Sequence, residues 1–407
     1  MTREPARTGR HAMTRVDGAA SETRNGSKEG NSPMVRKKIV WTCMTGLRTA
    51  VAGLLVALFV LAMPRPAAAY PNMIRLGYVS CSGCHVSPQG AGVLNRYGKG
   101  IDFAQTIRAG EPPDADLPKD ATVRFLYDIR AQMGIDRAPA AASEYSLSTS
   151  MRTAVALSSH QQVVYAFSVR SGSMTTTRKM GAASLGMSRF YWMYQPKEGL
   201  ALVVGRDDLP SGLGLSGANS FYRSTNNPSS SSTPTQVKLF WWNKRWQVTT
   251  YGYGPDGNEA QPQFEARGLG AIVGLNLSDK AVVGVTTRAS KSDAFDRQNA
   301  GVFARVGLTE HVGFLIEHDV TERTLGTGSH LTHFAGHAEV FFVPVNWLQT
   351  SLAAEHMNTR GGASIYRLSP SAELRLTPNF RLEFSTRNVY ALTPSRQYSV
   401  QLQVKAQ

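Results

Sequence analysis

Residues 123–133 read Val-Arg-Phe-Leu-Tyr-Asp-Ile-Arg-Ala-Gln-Met, in which Val123, Phe125, Tyr127, Ile129, Ala131 and Met133 alternate with Arg124, Leu126, Asp128, Arg130 and Gln132. A period of two means a strand with one apolar face, because successive side chains in a strand point to opposite sides. The far end repeats the pattern: Tyr398, Val400, Leu402 and Val404 alternate with Ser399, Gln401, Gln403 and Lys405. About sixteen such runs follow one another, beginning near 121, 145, 161, 184, 199, 236, 246, 266, 281, 298, 312, 331, 347, 365, 380 and 397.

The connections between runs alternate in length. Tight turns are expected at Ser159-His160, Gln195–Glu198, 243–245, 278–280, 309–311, 344–346 and 378–379; longer polar links fall between them, including 208–235 and 321–330. An even number of strands, short turns on one rim and long loops on the other describe a transmembrane antiparallel β-barrel over residues 119–407. The polar face carries both signs of charge (Arg124, Asp128, Arg130, Arg305, Glu317, Glu355, Glu373, Arg375, Arg381, Glu383, Arg387), as a wet lumen permits. A soluble sandwich would bury its apolar faces, and a propeller would repeat about every 40 residues, which this chain does not. The tract 203–214, dense in Gly and Pro, either bends into the lumen as a constriction or forms an ordinary surface loop.

Upstream of the strands the character changes. Residues 52–63 form an apolar run too short for a membrane helix, preceded by Arg36, Lys37, Lys38 and Arg48 and followed by Ala67-Ala68-Ala69. That is the plan of a secretory signal over 34–69, with a cut expected after Ala69. Residues 1–33 are polar and patternless, a disordered extension or an overextended start. The formal charge is +15, but the first 69 residues hold 11 of the Lys/Arg against 4 Asp/Glu. The remaining 33 against 25 form no basic block, so nucleic acid is not an expected partner.

Between leader and strands lies Cys81-Ser82-Gly83-Cys84-His85. Two thiols three apart can add across the two vinyl groups of a porphyrin, and the adjacent imidazole then sits under the iron; this is the attachment pattern of haem c. A redox disulfide needs a βαβ setting, and a structural zinc needs four ligands. Neither is legible here, since the next histidine is His160 and the third cysteine, Cys43, lies in the leader. The expectation is one covalent haem c on Cys81 and Cys84, with His85 as the proximal iron ligand. Met73, folding back from upstream, is a candidate sixth ligand, His160 and His311 are others, and an open or water-occupied position is equally consistent with the sequence. Pro88, Gly90 and Gly92 favour a tight loop, and Leu94 to Ala104 a short helix. A segment of this size, residues 70–118, cannot bury a haem alone.

Leader, haem motif and strands together resemble the fused monohaem cytochrome c–porins of the bacterial outer membrane, a group that includes proteins of extracellular iron oxidation. The resemblance rests on Cys81, Cys84, His85, Pro88, Leu94-Asn95 and Gly98, with a barrel following at once. It implies an electron-transfer protein passing electrons between an extracellular donor or acceptor, such as ferrous iron, and periplasmic cytochromes. It also implies an outer-membrane lipid setting and, if the donor is oxidised there, an extracellular oxidoreductase. The stretch 87–92 is richer in glycine than the iron-oxidising pattern, which leaves the donor open. The alternative is a diffusion porin whose haem-bearing segment is a plug or redox gate.

Overall fold

The computed structural model describes residues 71–89, 93–107, 124–137, 144–170, 174–175, 184–213, 233–255, 266–359, 362, 364–377, 379–391 and 394–406. The expected extension and leader, residues 1–69, lie outside the described residues.

Strands follow the alternation almost residue for residue. They are β1 (Arg124–Arg137), β2 (Glu144–Ala156), β3 (Gln161–Arg170), β4 (Met174–Thr175), β5 (Ser184–Lys197), β6 (Leu200–Arg206), β7 (Thr235–Trp242), β8 (Trp246–Tyr253) and β9 (Arg267–Ser278). Then come β10 (Ala281–Lys291), β11 (Phe295–Gly307), β12 (Val312–Leu325), β13 (His330–Val345), β14 (Leu348–Thr359), β15 (Ser364–Thr377), β16 (Phe380–Tyr390) and β17 (Ser395–Ala406). All join one sheet of seventeen. β4, two residues long, pairs with the start of β2, and β3 pairs past it with β5. Every other pairing but β1–β17 is between sequence neighbours, and all are antiparallel. β1 pairs with β2 on one edge and β17 on the other, so the succession of pairings returns to the strand it began from. Among the described residues each strand but β4 is paired on both sides, which is how barrels dispose of edges.

One sequence expectation changes. Residues 321–325 are not part of a polar link; they continue β12 opposite β11 and β13, from Thr321↔Asn299 to Leu325↔Phe295. The link shrinks to residues 326–329. Thr321 and Arg323 are polar because they face inward, so polarity there marks a wet face and not a loop.

Burial is inverted relative to a soluble sheet. In β7, Gln236, Lys238 and Phe240 are buried, while Val237, Leu239 and Trp241 between them are 50%, 45% and 44% exposed. The same holds for buried Arg297 and Arg305 against Val302 in β11, and for buried Glu317 and Asp319 against Ile316 in β12. Apolar outside and polar inside is the pattern of a barrel whose outer wall meets lipid. Exposed aromatics cluster toward the two rims: Tyr194, Trp241, Trp246 and Phe380 beside the short turns, and Tyr366, Tyr390 and Tyr398 beside the longer connections. Inside, Glu355 pairs with Arg367 and His337, and Glu373 with Arg375 and Arg381, so much of the inward charge is matched.

Candidate functional site: a Cys-x-x-Cys-His segment inside the barrel

Residues 71–107 do not form a separate domain; they pack within the short-turn half of the lumen. A 3-10 helix at Pro71–Leu76 leads to an extended stretch and a second 3-10 turn at Cys81–Gly83. In that turn the N–H groups of Cys84 and His85 both donate to the Cys81 carbonyl, at 3.2 and 3.0 Å. Cys81, Cys84 and His85 therefore leave one tight turn together. His85 bridges Leu94 in a short antiparallel contact, and Val86 N–H donates to Val93 O at 3.0 Å.

Asn95 locks this hairpin to the helix that follows. Its side-chain amide donates to Gly83 O at 3.1 Å, and its Oδ1 accepts from Gly98 N–H at 2.8 Å. That acceptance caps α1 (Arg96–Ala104). The helix begins two residues later than the expected Leu94, because Leu94 and Asn95 serve as bridge and cap. Gly98 lies against the motif so closely that a Cβ there would stand 2.1 Å from the Cys84 carbonyl oxygen. Tyr78 and Tyr97 hydrogen-bond through their hydroxyls on the other side of the motif. That bond pushes the Tyr78 phenol up to about 12.

Contacts reach the wall on opposite sides. Val86 and Val93 pack on Ala154, Val164, Tyr191, Met193, Ala201, Val203 and Phe240, the inner face of β2 to β7. Gln247 of β8 donates to Val79 O at 2.9 Å. Ile74 joins Val282, Phe303, Leu315, Phe341 and Val343 on β10 to β13. Across the lumen, Asp102 pairs with Arg381, and Gln105 accepts from Arg375. Ile107 N–H donates to Arg375 O at 3.1 Å.

The chain after β6 supplies a roof. Of the two readings of the glycine-rich tract, the inward one holds for its described part, residues 207–213. Asp207 pairs with Arg189 and with Lys238, the latter at 2.6 Å, and Leu209 packs on Tyr251 and Tyr253. The strap then meets the wall beyond: the N–H groups of Gly212 and Leu213 donate to the two carboxylate oxygens of Glu317 at 3.0 and 2.8 Å. Leu213 packs beside Ile74. A Cβ at Gly212 would collide with Phe303 at 2.4 Å, so only glycine allows this approach. No sequence pattern announced that Glu317, Lys238 and Asp207 act together.

The residues present suit a covalent haem. Both thiols are unbridged, and a Cβ built on Gly83 between them would find no atom within 4 Å. Burial pushes the Cys84 thiol up, and Cys81 adds to the shift. That is the reverse of a reactive redox cysteine, whose thiolate must be favoured. Arg75 is the plainest sign of a missing anion. It is 0% exposed, and Nε, Nη1 and Nη2 have no hydrogen-bond partner among the described residues. Burial, then the nearby Arg375, lower it to about 10, with Glu310 partly opposing. A guanidinium so placed is costly without a counter-charge, and haem carries two propionate carboxylates. Met73, the candidate sixth ligand, is buried in the same 3-10 helix. His160 is exposed and engaged by Ser159, and His311 by Val343 O at 2.9 Å. Both lie in rim turns, His311 in the turn beside the Pro71–Leu76 helix, where Gly307 packs on Arg75.

No protein-family model matches the sequence, and no curated protein is similar to it. Solved structures share its fold. OmpT, an outer membrane protein of Vibrio cholerae, aligns over 72% of this chain and all of its own, with TM-score 0.54 and 8% identity. An anion-selective porin from Comamonas acidovorans aligns over 70% of this chain and all of its own, with TM-score 0.52 and 8% identity. The outer membrane channel DcaP of Acinetobacter baumannii aligns over 71% and 99%, with TM-score 0.52 and 9% identity. At such identity the likeness is one of fold, that of the porin β-barrels.

Proposed function

We propose that this chain is an outer-membrane electron-transfer protein holding one haem c inside its barrel. Cys81 and Cys84 are its covalent anchors, His85 its proximal ligand, Met73 its candidate sixth ligand and Arg75 a partner for a propionate. What carries the reading is the position of the Cys81–His85 turn, which packs among wall residues in the lumen and not in a free soluble domain. Haem held there would supply a one-electron couple in a site screened from bulk water. The chain's own residues do the rest. Asn95 and Gly98 hold the turn rigid, the Val86 and Ile74 contacts seat it, and the 207–213 strap covers it. The short-turn rim, where β1 begins and β17 ends, would face the periplasm and its cytochromes. The long-loop rim would face the donor or acceptor outside.

The test is a haem stain and a reduced-minus-oxidised spectrum on fractionated outer membranes, for the native chain and for Cys81→Ser/Cys84→Ser. A covalent c-type spectrum lost in the variant is the expected result; a native chain without haem sinks the proposal.

A second reading has its own support. The fold is that of the porins, and polar ties such as Asp102–Arg381 and Lys238–Gln89, which could release, join the lumen segment to the wall beside its apolar contacts. A diffusion porin with a haem-bearing plug or redox gate would conduct ions in planar bilayers, with conductance that changes on reduction. Current that ignores redox state removes the gating version.

A further inference from the structure

Three successive inward positions of β11 meet different parts of the lumen. Gly307, at the short-turn end, lies so close to the Pro71–Leu76 helix that a Cβ there would stand 2.3 Å from Arg75 Cα. Phe303 lies against the strap, where a Cβ on Gly212 would stand 2.4 Å from its ring. Arg305 is the inward residue between them. Inward positions follow one another about 7 Å apart along a strand. Arg305 therefore leaves the wall in the layer between the motif segment and the strap that roofs it.

Its surroundings there are almost all neutral. Arg305 is 8% exposed. Its Nη2 donates to Gln247 Oε1 at 3.1 Å, its guanidinium stands 5.9 Å from the Phe303 ring centroid, and its Nε has no hydrogen-bond partner among the described residues. The cross-strand neighbours on either side, Val282 and Leu315, are apolar and buried. Glu317, opposite Phe303, turns both carboxylate oxygens to the strap N–H groups of Gly212 and Leu213. A buried guanidinium held by one amide and one ring calls for an anion.

Gln247 ties this guanidinium to the motif. Its amide nitrogen donates to Val79 O, just ahead of the Cys81 turn, at 2.9 Å and to Asn276 Oδ1 at 2.7 Å. Asn276 donates in turn to Lys244 O at 2.9 Å. Both ends of the Gln247 amide are thus engaged, and it cannot turn its oxygen from Arg305 without giving up Val79. One side chain fixes both the stretch that enters the Cys81–His85 turn and the direction of the guanidinium.

We propose that Arg305, aimed by Gln247, is a second carboxylate-binding residue of the haem site, and that it and Arg75 each hold one propionate of the haem c. The inference rests on the electron-transfer reading above. Guanidiniums favour carboxylates through paired charge-assisted bonds, and two such groups, each buried in the lumen beside the motif segment, match the two carboxylates of the porphyrin. Both cations favour the reduced, more negative haem, so together they set its potential higher than either would alone.

The test uses the detergent-purified full chain, native and with Arg305→Gln, Arg305→Lys or Gln247→Glu. Haem stain against total protein gives loading, heat-dependent gel mobility gives folding, resonance Raman reads the propionate bending band, and a redox titration gives the midpoint potential. Arg305→Gln should shift the propionate band and lower the potential. Arg305→Lys should restore most of the potential but not the band, because an ammonium is a point charge without the guanidinium fork. Gln247→Glu, of nearly the same shape, offers Arg305 a carboxylate from the wall and should lower the potential too. It keeps the test open if Arg305→Gln does not assemble. In Cys81→Ser/Cys84→Ser protein, Arg305→Gln should not lower the unfolding temperature, since without haem the guanidinium has no counter-charge to lose; a fall there would make Arg305 a structural residue and overturn the proposal. A haem-bearing chain whose band and potential ignore both Arg305→Gln and Gln247→Glu overturns this inference alone. A native chain without haem overturns the electron-transfer reading and this inference with it.

Discussion

Lys238 Nζ stands 2.6 Å from the carboxylate of Asp207, a pair inside the lumen that ties the barrel wall to the strap crossing it. The same ammonium donates to Gln89 Oε1 at 2.6 Å, so one fully buried cation fastens strap and motif segment together. A buried charge is retained at a cost; removing Lys238 leaves Asp207 with Arg189 alone, at 3.4 Å, so the loss is at most the about 3–5 kcal/mol of a fully broken buried pair.

Lys238→Met should therefore free the strap and the 86–93 hairpin while the barrel stays closed by its backbone pairings. Limited proteolysis from the long-loop side should cut the strap in the variant and spare it in the native chain. Heat-modifiable gel mobility should be the same for both. Equal resistance to protease would show that Lys238 does not hold the strap.

Glu317 is the other end of the strap. Glu317→Gln keeps one acceptor for Gly212 or Leu213 but replaces the second with a donor, at a cost of about 1–3 kcal/mol. Single-channel recording should show larger or more frequent conductance steps than the native chain, since the strap roofs the plugged half of the lumen. An unaltered trace would place the barrier to flow in residues 71–107 alone.

Gly98→Val tests the seating of the motif. Its Cβ would lie 2.1 Å from the Cys84 carbonyl, so α1 must move off the Cys81–His85 turn. Overpacking of this kind costs about 1–3 kcal/mol, sometimes more. The variant should assemble as a barrel with reduced covalent haem, read by haem stain against total protein. Full haem loading would show that α1 does not shape the site.

Arg75 makes opposite predictions for the two loading states. In Cys81→Ser/Cys84→Ser protein, a further Arg75→Leu should raise the unfolding temperature, because it removes a buried cation with nothing to pair it. In haem-loaded protein, Arg75→Leu should lower the midpoint potential, since a cation beside a propionate favours the more negative, reduced haem; Arg75→Lys should retain most of the native value. A potential unmoved by Arg75→Leu would remove Arg75 from the propionates.

Much of the architecture was legible because a barrel writes itself into local sequence. Each strand must alternate, and the alternation located the start of all sixteen longer strands to within about three residues. The error at 321–325 had a physical cause: in a wet lumen, an inward strand face is as polar as a loop. The two-residue β4 carries too little pattern to be seen. The run Cys81-Ser82-Gly83-Cys84-His85 is likewise a local pattern, and the haem it suggests belongs to the proposed function.

What the sequence by itself determined is thus the strands, their faces and a Cys-x-x-Cys-His run ahead of them. That the motif segment lies inside the barrel is tertiary. One local trace of it exists: near the short turns both faces become apolar, as in Phe314-Leu315-Ile316, Phe341-Phe342-Val343 and Phe240-Trp241-Trp242. An inner face that is apolar must be covered by something other than water. But periodicity says only that such a face needs a partner, not which segment supplies it. The meeting of Lys238 with Asp207 and Gln89, and of Glu317 with Leu213, joins residues far apart along the chain. Register and chain path bring them together, and those are decided only when the whole ring of strands forms.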